Sequence, residues 1–500
     1  MTWVINFTIA GLSVLAVILV TAAALGLLAI LVMYFIDRSQ HQDTIRHNFP
    51  VIGRFRDLFT HLGEFFRQYF FAMDREEMPF NRAERDWVYS SAAGGDNTTA
   101  FGSTRSLQPV GTAIFANAVF PPLDDETSEP PALVIGPGAR NPYEASSVIN
   151  ISGMSFGAIS KPAVQALSKG AKLAGCWLNT GEGGLSPYHL EGGCDIVFQM
   201  GTAKYGVRTK EGELDDDKLR EVASHSQVKM IEVKLAQGAK PGKGGILPAA
   251  KVTEEIAEIR GIHAHTASIS PNRHLEVGNL EQLLDFVAHV RDVSGLPTGF
   301  KVVIGSFDWL DDLCEIILKN GVENAPDFIT IDSGDGGTGA APMPLMDNCG
   351  LTVQEALPGV VDVLAKHGLR ERIRVICSGK LITPASVAWA YCAGADFVVS
   401  ARGFMFALGC IQAMKCNKNT CPTGITTHDE DLQSGLNPAD KSVRVHNFVK
   451  KIRYGVGIIS HSCGVAHPRL LERKHVRLVQ ADGSSKSFDE LFPEVAEKQS

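Results

Sequence analysis

Between residues 147 and 402, short apolar or β-branched runs recur, most ending in Gly, Ser, Asn or Asp. They are SSVINISG, CWLNTG, CDIVFQMG, KMIEVKL, HTASISP, TGFKVVIG, DFITIDSG, IRVICSG and DFVVSAR. Helical stretches such as PAVQALSKGAKLAG, NLEQLLDFVAHVRDV and PASVAWAYCAGA separate many of them. Strand–helix alternation with loops at strand C-termini signals a parallel sheet. Eight or nine strands in one unit predict a closed (β/α)8 TIM barrel rather than an open doubly wound sheet. One of the nine runs then lies outside the barrel as a hairpin or insertion. A barrel of this kind takes about 250 residues, which fits residues 147–408.

Barrel active sites sit at the C-terminal ends of the strands, and phosphate usually binds in the last two loops. Those loops here carry Ser378, Gly379 and Lys380, then Ala401, Arg402 and Gly403. Small residues let backbone N–H groups approach a phosphate, and Arg402 would neutralise it. Glycine-rich turns of this kind also occur without a ligand. In IDSGDGGTGAAPMP, Gly334, Gly336 and Gly339 match GxGxxG, but Ala340 to Pro344 is a poor start for the helix that a dinucleotide fingerprint requires. The segment reads as a tight loop in which Gly336 and Gly337 allow close approach of a ligand.

Cys410, Cys416 and Cys421 fall in GCIQAMKCNKNTCPTG. Thiolates at this density ligate soft metal, and Cys followed by Pro closes ferredoxin-type cluster loops. Three ligands leave a four-iron cube one short, so a [3Fe–4S] cluster is the natural occupant. Zinc would need a fourth Cys or His at a neighbouring short spacing, and three unrelated core cysteines are the plain alternative. A flavin on the phosphate loops would sit beside this cluster. Glu182 lies between glycines at a strand end in NTGEGG, an unusual place for a merely solvated carboxylate. Lys234, Gln237, Lys240 and Lys243 form a glycine-rich loop suited to anions, or are ordinary exposed lysines. Lys301, flanked by apolar residues in GFKVVIG, would point into the mouth and steady negative charge on a reduced flavin.

The chain has 500 residues, 45% hydrophobic and 20% charged, which is ample for a large core. A net charge of −8 argues against a nucleic-acid binder. The ten cysteines are no disulfide framework in a chain this long and suit a reducing compartment. From Met1 to Ile36 no side chain is charged, and this run exceeds the ~20 apolar residues that span a bilayer. It lacks the basic start and the short apolar stretch of a secretory signal. Arg38, Arg46, Arg54 and Arg56 follow it, so the positive-inside rule puts the body in the cytoplasm of a single-pass membrane protein. Residues 37–90 then read as a juxtamembrane amphipathic helical segment in which Phe65, Phe66, Phe70 and Phe71 bunch together, a face that either lies in the membrane interface or packs on the catalytic body. Residues 91–146 read as an irregular extension packing on the barrel, 409–425 as the cluster loop, and 426–500 as a C-terminal helical segment and tail.

Together, MSFGAIS (Met154 to Ser160), NTGEGG, VKLAQGAKPGKGG with LPAAKV, ISPNRH, DSGDGGTGA and the three-cysteine run resemble the FMN-binding synthase domain of glutamate synthase over roughly residues 85 to 470. The resemblance implies FMN in the barrel and a [3Fe–4S] cluster on Cys410, Cys416 and Cys421. It implies that reduced FMN converts 2-iminoglutarate, formed from 2-oxoglutarate and ammonia, to L-glutamate. Met154 and Ser155 would line the flavin, with Gln199 a further cofactor-binding candidate. Lys301 would sit near the ring and the substrate carboxylate. Glu182 and Lys234 complete the catalytic candidates, Glu182 polarising the imine region. Neither a glutaminase domain before the barrel nor the β-helix domain after it is recognisable, so ammonia would come from solution or another subunit. This is the pattern of a stand-alone, membrane-anchored branch. Electrons would come from an external donor such as ferredoxin or a membrane carrier. The alternative is a membrane-anchored FMN/Fe–S oxidoreductase linked to ferredoxin or quinone with an unrelated substrate. A homo-oligomer is left open.

Overall fold

The computed structural model describes residues 1–40 and 44–493. Residues 494–500 of the expected tail and the Phe65 side chain lie outside the described residues. The chain divides into two compact units, Met1–Ala83 and Glu84–Ser500.

In the larger unit eight parallel strands close into a barrel. They are β1 (Ile149–Ile151), β2 (Leu178–Asn179), β3 (Ile196–Met200), β4 (Val228–Lys234), β5 (Thr298–Val303), β6 (Phe328–Asp332), β7 (Arg374–Cys377) and β8 (Phe397–Ser400). Each pairs with the next, and β8 closes on β1. Eight of the nine runs are these strands. The ninth, HTASISP, supplies Ser268–Ile269, which pairs antiparallel with Ile246–Leu247 outside the barrel. The glycine-rich run before Leu351 forms a loop, and helix resumes only at Val353–Lys366.

The N-terminal ends of the strands are plugged with apolar side chains. An antiparallel hairpin of Leu133–Ile135 and Tyr143–Ala145 contributes Ile135, Tyr143 and Ala145 to one buried cluster with Trp177, Val197, Met230, Phe328, Ile376 and Phe397. Gly299 makes room for this packing, because a Cβ there would meet the Phe328 ring at 2.6 Å. With the bottom sealed, polar residues further along the same strands can only face the opposite end.

The long helix Pro438–Ser462 packs on Lys161–Ala174, and Gly170 lets Val445 approach that helix. Beyond the expected helix, the C-terminal region also holds strands Val476–Val479 and Ser485–Ser487. They form an antiparallel sheet with Ala113–Phe115 of the extension. These strands are three or four residues long, too short for a period-two pattern to stand out.

The smaller unit is helical: α1 (Thr2–Ser39), α2 (Thr44–Asn48) and α3 (Gly53–Phe66), followed by a π turn at Arg67–Phe71. Within α1, Ile5–Ser39 is long and apolar enough to cross a membrane, with a mean hydropathy of 2.9.

Candidate active site

Parallel register decides which residues share the barrel interior. Gln199 lies beside Glu232, Lys234 beside Lys301, and Lys301 beside Thr330. Above the apolar plug these residues form a buried polar layer. Glu232 accepts from Asn179 Nδ2 at 2.8 Å, Gln199 Nε2 at 2.6 Å and Thr330 Oγ1 at 2.6 Å. Lys301, only 6% exposed, pairs with Asp332 at 3.0 Å. Asp332 also accepts from the backbone N–H groups of Gly238 and Ser333, at 3.1 Å each. Burial alone would lower the Lys301 ammonium, but Asp332, with Glu232, holds it above its ordinary value. A charge this deep needs partners, because taking it from water costs several kcal/mol.

Toward the mouth, Glu182 pairs with Lys234 at 2.9 Å, and Lys234 also donates to Gln237 Oε1 at 2.6 Å. Burial would raise the Glu182 carboxyl, yet Lys234, with Lys240 and Arg260 adding, keeps it below its usual range. Its carboxylate threads a gap between Gly201 and Gly245, where any Cβ would collide with it. Gly181 packs against the backbone of Met154 and Ser155, which brings the loops after β1 and β2 together. His274 Nε2 donates to the Lys234 carbonyl at 3.0 Å, and burial pushes this imidazole down to about 4. It is therefore a neutral strut. Lys240 is pushed down to about 8 by burial, with Lys234 adding.

The loops after β6, β7 and β8 meet on the other side of the mouth. Gly336 and Gly238 touch so closely that a Cβ on Gly336 would lie 2.8 Å from the Gly238 Cα. A Cβ on Gly337 would lie 2.9 Å from the Arg402 guanidinium carbon. Arg402 donates to the Asp335 carbonyl at 2.7 Å, and burial pulls its basicity down. Gly379, at φ 142°, is in a conformation open to glycine, and a side chain there would strike the Ser333 hydroxyl. That hydroxyl is buried without a hydrogen-bond partner among the described residues. Ser378, Lys380, Ala401 and Gly403 surround the same corner by sequence position, with Lys380 at φ 52°.

The cysteine loop is tight, with Gln412, Met414 and Asn419 all left-handed. Cys410 Sγ accepts from Gln412 N–H at 3.4 Å, and its carbonyl accepts from Tyr89 at 2.6 Å. Burial, then Cys416 and Cys421, push the Cys410 thiol up to about 12. Burial would raise the Cys421 thiol too, but hydrogen bonds from Thr423 and Thr426 hold it below its ordinary value. Among the described residues, no three His, Cys, Asp or Glu side chains are grouped closely enough to hold a metal ion. Lys251, 2% exposed, ties this loop to the barrel by donating to Ala158 O at 2.6 Å and Cys416 O at 3.2 Å.

Several residues here escape sequence reasoning. Glu232 and Asp332 sit at alternate positions with Lys234 and Thr330, a period-two signal readable once the strands are aligned. Asn179 opens NTGEGG, where Glu182 is the residue that stands out. Arg260 ends helix Glu254–Arg260 and looks like an ordinary last-turn cation. It is buried instead, its Nη2 donating to Ser155 Oγ at 3.4 Å and Phe156 O at 3.3 Å, with Nε unpartnered among the described residues.

A plugged parallel barrel with paired charges and glycine-lined loops at its C-terminal mouth defines a (β/α)8 enzyme. This chain belongs to the glutamate synthase family, since residues 111–466 match the conserved region in glutamate synthase. It is a glutamate-synthase-like oxidoreductase. It is 38% identical to the glutamate synthase large subunit-like protein YerD of Bacillus subtilis, over 95% of this chain and 98% of that one. It is 31% identical to the archaeal-type glutamate synthase [NADPH] of Thermotoga neapolitana, a match covering 62% of this chain and only 59% of that protein. Among solved structures, flavocytochrome b2 with sulfite bound aligns at TM-score 0.47 and 14% identity, over 89% of this chain and 91% of that one.

Glu232→Leu should leave three donors without their acceptor and Lys301 without one of its two carboxylates. The expected loss is about 3–5 kcal/mol, read from urea denaturation. A variant as stable as the parent would show that this layer contributes nothing to the fold.

Proposed function

We propose that this protein reduces 2-iminoglutarate, formed from 2-oxoglutarate and ammonia, to L-glutamate, using FMN in the barrel mouth and an iron–sulfur cluster on the cysteine loop. The observation that carries the reading is the convergence of two buried ion pairs, Glu182–Lys234 and Lys301–Asp332, on one glycine-lined mouth. The Ser333 hydroxyl, unpartnered among the described residues beside Gly379, and Arg402 fit a phosphate-bearing cofactor. Met154, Ser155, Gln199 and Lys301 would hold its ring side, and Ser378–Lys380 with Ala401–Gly403 its phosphate. Three soft sulfurs on one loop, with the Thr423 hydroxyl 3.3 Å from Cys421 Sγ, fit an iron–sulfur cluster in chemistry, and three ligands favour the [3Fe–4S] type.

Bound there, FMN supplies the two-electron reduction of the imine carbon. The chain's own groups do the rest. Lys301 places a fixed positive charge beside the reacting region, and Asp332 and Glu232 keep that ammonium aimed. Lys234, Lys240 and Arg260 give the mouth an excess of buried cations over Glu182, which suits a dicarboxylate. Glu182, kept ionised, orients the Lys234 ammonium as a proton donor near the imine nitrogen. Electrons arrive singly from an outside donor such as ferredoxin or a membrane carrier.

The apolar α1 supports a single-pass membrane anchor, with the basic residues after it placing the catalytic body on the cytoplasmic side. The same helix favours a second reading, in which the donor or acceptor is a quinone and the substrate is unrelated to glutamate.

Denatured protein should release FMN rather than FAD and contain about three irons per chain. Lys301→Met should slow flavin turnover by about 10²-fold and lower the flavin potential while retaining FMN, whereas Arg402→Ala should lose FMN first. FAD, absent iron, or a Lys301 variant of normal potential and rate would each contradict this reading. Binding should also depend on pH. An anion favours the protonated form of Lys240, so 2-oxoglutarate affinity should hold steady below pH 7. It should fall as pH rises through about 8, by up to about tenfold per pH unit. Calorimetry at pH 7 and 9.5 checks this, and Lys240→Met should flatten the profile.

A further inference from the structure

The third helix, α3, carries an apolar stripe whose aromatic residues are exposed. On α3, Phe55, Leu58, Phe59, Leu62 and Phe66 recur at helical spacing, so they share one face. Phe55 is 51% exposed, Phe59 65% and Phe66 43%, and the Phe55 and Phe59 rings stack at 6.3 Å. Arg56, Asp57, Thr60 and His61 occupy the other side of the helix. A contiguous aromatic patch of this kind marks an interaction surface rather than ordinary scattered exposure.

A clamp fixes where this stripe begins. Asp37 is the first charged residue after the apolar run, and it is 1% exposed. It pairs with Arg54 at 2.7 Å and accepts from the Val51 backbone N–H at 2.9 Å. Arg38 Nη1 donates to the His47 carbonyl at 3.2 Å, and His47 Nδ1 lies 2.9 Å from the Gln40 carbonyl. The chain therefore turns back on itself between α1 and α3, and the first turn of α3 is held at the end of α1.

We propose that α3 lies in the membrane interface, its Phe55–Phe59–Phe66 stripe seated at the boundary of headgroups and acyl chains. This rests on α1 being a membrane anchor. If α1 spans, its charged end is at the bilayer surface, and the clamp starts α3 at that depth. Phe and Leu on one face of a helix with basic residues on the other is the composition of interfacial helices. Arg54 is taken by Asp37 and Arg46 by Asp57, so Arg38 and Arg56 are the cations that suit the anionic headgroups of the cytoplasmic leaflet. The clamp pairs Arg54 with Asp37 inside the turn, so that the polar boundary and the apolar stripe are set by one contact.

The test uses the full chain in phosphatidylcholine–phosphatidylglycerol vesicles, with p-benzoylphenylalanine placed in turn at Ile18, Phe59 and Thr60. After irradiation, mass spectrometry should find lipid adducts at positions 18 and 59, with ~10-fold less lipid at position 60. Lipid at position 18 with only intrachain cross-links at 59 would overturn the interfacial helix and leave the anchor standing. No lipid at position 18 would overturn the anchor, and this inference with it.

Discussion

The architecture of the barrel mouth depends on one buried ammonium. Lys301 stands inside the barrel above an apolar plug, and an unpaired charge there would not be tolerated. Asp332 and Glu232 supply its counter-charges, and each is itself saturated. Glu232 has three side-chain donors, and Asp332 has two backbone donors. Satisfying Asp332 brings the loop after β4 to the loop after β6, because the Gly238 N–H must reach its carboxylate. That approach is what demands glycine at 238 and 336, where a Cβ would strike the facing backbone. The glycine-rich mouth and the buried charge are thus parts of one arrangement.

The barrel was legible because parallel strands buried on both faces read as continuous apolar runs, and their ends carry turn residues. Nine runs for eight barrel strands also signalled that one lay elsewhere, and Ser268–Ile269 is that one. The polar layer was harder to read. In KMIEVKL, Lys234 stood out at the strand end, while Glu232 looked like one charge among apolar neighbours. Only register across β3 and β4 sets it against Gln199 and shows that it faces inward. Arg260 was hidden for a different reason, since a cation in a last helical turn is ordinarily solvated.

The cysteine loop was legible as thiol density, but its attachment was not. Lys251 sits 165 residues before Cys416, in LPAAKV, and joins the Cys416 carbonyl to the Ala158 carbonyl. A buried ammonium shared between these two loops ties the cysteine loop to the loop after β1. The site is therefore built from pieces far apart in sequence, held by lysines that each answer to a carboxylate or a pair of carbonyls.

The substrate proposed for this mouth is an imine made from a dicarboxylic oxo acid and ammonia. The most direct measurement is anaerobic reoxidation of the reduced flavin in the intact protein, followed by stopped-flow absorbance. With 2-oxoglutarate and ammonium together, reoxidation should be fast and yield glutamate, while either alone should leave the flavin reduced. Reoxidation by a quinone or another acceptor, with no response to 2-oxoglutarate plus ammonium, would contradict the claim.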